Sequence, residues 1–203
     1  MPHDIPPIDT LWDPHPGVDA PARAAAELRL RSSTRTAMRP DGQVGLFAAQ
    51  PLPAGVELVH RWHDGYYLGM PGWVVLTLAE IDALPERDRT HFLRYGLDVE
   101  LGAIVGPVSA DEVRTLDNFI NHGCDPNLGY DARGSVVTLR AIAIGEELRL
   151  DYGHFAANYD EPFSCACGAV ACRGRVTRDD WRAAPADARL APFLERRRAP
   201  TKA

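Results

Sequence analysis

The chain has 203 residues, 45% of them hydrophobic and 25% charged, which suits one folded domain with modest extensions better than two equal domains. Lys and Arg number 22 against 28 Asp and Glu, for a net charge of −6, so a surface built to neutralise phosphates is not expected and neither is a nucleic-acid partner. No uncharged apolar run approaches the roughly 20 residues of a membrane helix, so no membrane role is expected. In chain order, prolines at 2, 6, 7, 14, 16 and 21 mark an irregular start, without the positive end and apolar stretch of a secretion signal. A cytoplasmic location is therefore expected, and the near absence of lysine (Lys202 alone) fits a GC-rich bacterial genome.

Residues 1–37 read as an N-terminal extension holding a short helix over 22–30. Short strands are predicted at 44–49 and 56–62, on either side of a turn at 51–55, and again at 73–78. Thr77 followed by Glu80 is a capping-box signal, which opens a helix running to about Tyr95 with a kink near Pro85. Strands are predicted over 97–105, 136–139 and 147–152, the last two joined through a turn at Gly145. Residues 161–175 are rich in Gly and Cys and poor in apolar groups, so they need a cross-link or a metal to hold a shape. Thr177 or Asp179 can cap a final helix containing Trp181, and the run Arg196-Arg197-Arg198 reads as solvated. Periodicity alone gives a β-rich α+β fold.

The cysteines are the most specific feature. Cys165-x-Cys167 followed by four residues and Cys172 sets three thiols in one tight loop, and Cys124 completes the four ligands of a tetrahedral zinc. In a reducing compartment such a cluster binds metal more often than it forms disulfides, although unligated core thiols are the alternative. Cys124 lies in Asn121-His122-Gly123-Cys124-Asp125-Pro126-Asn127, directly after the apolar Phe119-Ile120. The segment reads equally as a ligand-holding loop and as a plain turn set by Asp-Pro-Asn. A zinc would pin the C-terminal tail over it. His60 and His63 have metal-capable spacing but no third ligand, and Tyr66, Tyr67, Trp73 and Tyr95 suit a core as well as a channel.

These residues resemble the SET-domain protein-lysine methyltransferases. The turn is similar to the family's Asn-His-Ser-Cys-x-Pro-Asn motif, with Gly123 in the serine position. Gly145-Glu146-Glu147-Leu148-Arg149-Leu150-Asp151-Tyr152 resembles its Gly-Glu-Glu-Leu-Thr-x-Asp-Tyr segment. The cysteine loop is like its post-SET zinc loop, and Gly45-Leu46-Phe47-Ala48 looks like its opening strand. Two positions depart from the pattern: Gln43 and Val44 dilute the opening glycines, and Asn118 stands where arginine is usual.

The resemblance implies a fold of small, mostly antiparallel sheets with a knot-like C-terminal segment and a zinc-pinned post-SET loop. It divides the chain into the extension, a SET domain over 38–160, a zinc loop over 161–176 and a C-terminal helix and tail over 177–203. It implies methyl transfer from S-adenosylmethionine to a lysine amine of a protein substrate. Tyr152 would be the catalytic phenol, and Gly45, Phe47, Asn121 and His122 would bind the cofactor. Leu150 and Phe155 would line the lysine channel, Leu150 by sharing a strand face with Tyr152. Zn2+ would be held by Cys124, Cys165, Cys167 and Cys172. The departures at 43–44 and 118 leave open a second reading, a catalytically silent SET-like module that binds a partner peptide.

Overall fold

The computed structural model describes residues 20–61, 72–108, 115–158 and 162–198. The expectations for Trp62, His63, Tyr66 and Tyr67 lie outside those residues. Helix α1 (Ala20–Ser33) buries Ala26 and Leu30 and leads directly into β1 (Thr34–Met38). That strand straddles the boundary expected at 37/38 and pairs antiparallel with β2 (Val44–Ala48), so the chain before residue 38 contributes to the first sheet. Its polar, half-exposed Thr-Arg-Thr pattern carries little apolar signal, because only one partner strand covers it.

Two three-stranded sheets follow. In one, β3 (Glu57–Val59) and β8 (Leu128–Tyr130) flank β9 (Val136–Thr138); in the other, β4 (Trp73–Thr77) and β5 (Leu97–Glu100) flank β6 (Ala103–Pro107). The strand expected over 97–105 is thus a hairpin, turned by Gly102 at φ +85°, a conformation that favours glycine. The predicted capping box is present: Glu80 N donates to Thr77 Oγ1 at 3.3 Å, and Thr77 N donates to the Glu80 carboxylate at 2.7 Å. The helix it opens stops after one turn as α2 (Leu78–Asp82), and α3 (Glu86–Tyr95) starts afresh after Pro85, so the expected kink is a break.

Two short strands, β7 (Asn121–His122) and β10 (Arg149–Leu150), pair in parallel, while β11 (Phe163–Ser164) and β12 (Arg175–Val176) close the cysteine loop as an antiparallel pair. The strand expected over 147–152 shrinks to two residues for a visible reason. The Asn127 side chain occupies the ladder, accepting from Arg149 N at 2.9 Å and donating to Glu147 O at 2.8 Å. Asp151 then caps a 3-10 turn (Tyr152–His154) through Gly153 N at 2.9 Å. The result is a set of small, mostly antiparallel sheets around one principal core that includes Leu46, Leu58, Ile120, Leu128, Leu148, Leu150 and Trp181.

The tail after the cysteine loop differs from expectation. Trp181 sits in a 3-10 turn (Asp180–Ala183) that ends before Pro185, and the helix proper is α4 (Pro192–Arg198), with proline in its first turn. The arginine run is solvated at Arg196 and Arg197, as expected, and its charges are also engaged. Arg196 and Arg197 pair with Glu100 at 3.5 and 3.2 Å, and Arg198 donates to the carbonyls of Pro185, Ala186 and Ala188, which no regular ladder would otherwise satisfy. No described helix is long and apolar enough to cross a membrane.

Candidate functional site

The cysteine cluster assembles from two distant stretches. The Sγ atoms of Cys124, Cys165, Cys167 and Cys172 all lie within 4.8 Å of one another, and among the described residues they form the one such group of metal-capable side chains. Cys165 Sγ stands 3.8 Å from Cys124 Sγ and 3.7 Å from Cys172 Sγ. Zn–S bonds of about 2.3 Å in a tetrahedron give sulfur edges of about 3.8 Å, so the donors fit zinc in kind, number and spacing. Their titration points the same way. Burial and the neighbouring thiols push Cys165 up to about 12. Burial would raise Cys167 too, but the backbone N–H groups of Cys124 and Ala169 bring it down to about 6. Thiols that cannot all ionise together are relieved by a shared divalent cation.

Against this cluster lies the β7–β10 pair. Asn121 Nδ2 donates to Val44 O at 3.1 Å and to Glu147 Oε1 at 3.0 Å, which ties β2, β7 and residue 147 together. Glu147 also holds Arg149 at 2.7 Å and Arg39 at 3.2 Å. Gly45 fills the remaining space, since a Cβ there would stand 2.6 Å from Glu147 Oε1. His122 Nδ1 accepts from Tyr152 N at 3.1 Å, so its proton belongs on Nε2, which faces Cys124 Sγ at 3.3 Å. Burial depresses the imidazole to about 4, keeping it neutral at ordinary pH.

Tyr152 OH donates to Ile120 O at 2.8 Å, and burial pushes the phenol up to about 12, so it stays protonated. Its ring packs against Phe155 and Phe163 at centroid distances of 5.1 and 5.9 Å. Tyr152, Phe155, Phe163, Tyr95, Ile120 and Val176 line a cavity of about 230 Å3, with Asn118 at its wall. On the other side of the cysteine loop, Arg39, Phe47, Glu147, Arg149 and Ala166 line a recess of about 430 Å3.

The SET domain model matches residues 43–153, more than half of the chain. The chain belongs to the SET-domain family. It is 29% identical over 124 residues to the histone-lysine N-methyltransferase SUV39H2 of Xenopus tropicalis, a stretch covering 49% of this chain and 30% of that one. It is 37% identical over 75 residues to the H3 lysine-4 specific histone-lysine N-methyltransferase of Saccharomyces cerevisiae, covering 33% and 7%. Among solved structures, a crystal structure of KRYPTONITE in complex with mCHG DNA and SAH aligns with a TM-score of 0.46 at 20% identity, covering 71% of this chain and 29% of that one. The chain thus spans under a third of the length of these relatives.

Within this SET domain the residues singled out in the sequence fall into two groups. Gly45, Asn121 and His122 converge on the β7–β10 junction, with Tyr152 joined to His122, whereas Phe47 lies in the recess with Arg39. Phe155 borders the cavity, but Leu150 does not: it is 1% exposed in the core, paired with His122. The alternation that would have set residues 150 and 152 on one face ends at Asp151, where the 3-10 turn begins. Phe163, Val176 and Ile120 join the cavity without having been singled out. A lone aromatic two residues before Cys165 was the available signal for Phe163.

Proposed function

We propose that this SET domain is an S-adenosylmethionine-dependent protein-lysine N-methyltransferase. One observation carries the reading: a neutral phenol, Tyr152, fixed by Ile120 O at the wall of an aromatic cavity and bonded through its backbone to His122. S-adenosylmethionine supplies an electrophilic methyl group when bound. The chain's own part is to align and desolvate the amine. A free lysine with pKa near 10.4 is only about 0.04% neutral at pH 7, and an apolar surrounding raises that share by disfavouring the ammonium. Phe155, Phe163 and Tyr95 offer ring faces to a cationic or methylated amine. Because the Tyr152 proton is spent on Ile120 O, the phenol oxygen has lone pairs left to accept an N–H from the incoming amine.

Gly45, Phe47, Asn121 and His122 are the residues that would hold the cofactor. The guanidinium, carboxylate and apolar groups of the Arg39 recess suit a zwitterionic amino-acid end. Cys124, Cys165, Cys167 and Cys172 would hold one structural zinc, and the substrate is a protein bearing a target lysine, met in the cytoplasm. Incubation of zinc-replete protein with labelled cofactor and cell lysate, then mass spectrometry of modified bands, tests the activity. Methyl-lysine supports it, and its absence at high enzyme concentration overturns it. The silent-module reading draws on Val44, which is 37% exposed in place of the family's glycine pattern. Calorimetry showing no heat with S-adenosylmethionine favours that reading.

A further inference from the structure

We propose that Arg173, in the cysteine loop, is a positioning residue for Tyr152, an inference that rests on the methyltransferase reading for its kinetic part alone. Arg173 follows Cys172 directly. Its two terminal nitrogens donate to both carboxylate oxygens of Asp151, Nη1 to Oδ2 at 2.8 Å, while its Nε pairs with Asp180 at 3.1 Å. Asp151 is 2% exposed and immediately precedes Tyr152. The same carboxylate accepts from Gly153 N at 2.9 Å, so the group gripped by the guanidinium is also the cap of the 3-10 turn that carries the phenol.

The packing leaves this node little freedom. A Cβ on Gly153 would lie 2.8 Å from Asp180 Cβ and 3.2 Å from Arg173 Nη2. Asp180 opens the 3-10 turn that buries Trp181 in the core, so one guanidinium joins the cysteine loop to two turns at once. Burial alone would raise the Asp151 carboxyl, yet the fork from Arg173 and nearby His154 hold it below the usual carboxylate range. An Arg–carboxylate fork fixes direction as well as distance, which a single ammonium does not. Tyr152 is then set at three points: its preceding carboxylate by Arg173, its N–H by His122 and its hydroxyl by Ile120. Arg173 itself does not line the cavity. The thiols anchor the loop to the turn at Cys124, and the arginine anchors it to the turn at Tyr152.

The test uses Arg173→Lys in the full zinc-replete chain, with Tyr152→Phe and the double variant. Zinc content should stay near one equivalent. Turnover should fall about 10- to 30-fold, while KM for S-adenosylmethionine moves less than about 2-fold. In the Tyr152→Phe background the lysine substitution should cost less than about 2-fold, because it acts through a hydroxyl already gone. A full, additive loss in that background overturns the proposal, as does unchanged turnover of a folded Arg173→Lys. A second readout needs no methyl transfer: with all six tyrosines labelled at Cζ, the Tyr152 carbon signal, assigned by its loss in Tyr152→Phe, should move in Arg173→Lys. An unmoved signal overturns the proposal whatever the assay gives. A moved signal in a chain without methyl transfer upholds the positioning role and removes only the reaction. If Arg173→Lys fails to fold, Asp151→Asn, which keeps an acceptor for Gly153 N, should give the same signal shift, and its failure to do so counts equally against the proposal.

Discussion

Tyr152 spends its hydroxyl proton on one backbone carbonyl and is the proposed acceptor for the substrate amine, so removing that oxygen alone is informative. Tyr152→Phe should lower turnover by about 10² while leaving cofactor affinity within a few-fold, measured by steady-state kinetics and calorimetry. Leu150→Tyr tests a different matter. With Leu150 at 1% exposure in the core, a larger polar side chain should cost stability, about 1–3 kcal/mol in chemical denaturation. A change in methylation state without loss of stability would return Leu150 to the channel. The clustering of the four cysteines was legible from their spacing, and the meeting of Tyr152 with His122 from the resemblance of their two segments. The place of Asn127 in the β10 ladder and the grip of Arg173 on Asp151 were not, although Asn127 closes the quoted turn, because those bonds reach residues 20 and 22 positions away.

Among the elements, the cysteine loop depends most on something outside its own packing. Its hairpin, β11 and β12, pairs only two residues a side, and Phe163 remains 40% exposed. Cys172→Ser should bring zinc well below one equivalent by elemental analysis and weaken S-adenosylmethionine binding, and a chelator should do the same to the natural chain. Structural zinc contributes about 10–16 kcal/mol of apparent binding free energy, far more than so short a hairpin gains alone. A metal-free protein of full activity would sink the zinc assignment. Several longer elements were legible in outline, as the strands at 44–48 and 73–77 and the Thr77 capping box show, whereas β1 and α4 were not. The two-residue β7 was not, since a period of two needs more residues than it has, and β10 was legible only as part of an overlong strand at 147–152.

For the whole molecule, the segment after Tyr152 is fastened by a buried acid. Asp98 Oδ2 accepts from Ala157 N at 2.6 Å and Asn158 N at 2.8 Å, and Asn158 in turn bonds Gly102 N, Glu100 O and Ala103 O. Burial raises the Asp98 carboxyl from 3.8 to about 7, with the two backbone N–H groups opposing it. The folded chain therefore keeps a proton that the unfolded chain has released, and stability should fall as pH rises from about 4 to about 7, then level off. Asp98→Asn, which cannot titrate, should flatten that slope. Urea midpoints of zinc-loaded protein between pH 5.5 and 8 check it, and an equal slope in both proteins would refute the assignment.

The site's three strips of backbone, β2, β7 and β10, meet only across long stretches of chain, and its last lining residue, Arg178, lies 130 residues beyond Ala48. At ribosomal rates of roughly 5–20 residues per second, the first strip waits on the order of ten seconds for the last. During that interval Leu46 and Ala48, both fully buried in the finished fold, still lack core partners such as Trp181 and Phe193. The strand proposed to hold the cofactor is thus the part of the site that waits longest for its neighbours, and slowing translation between residues 48 and 178 by codon choice is expected to change the yield of folded protein.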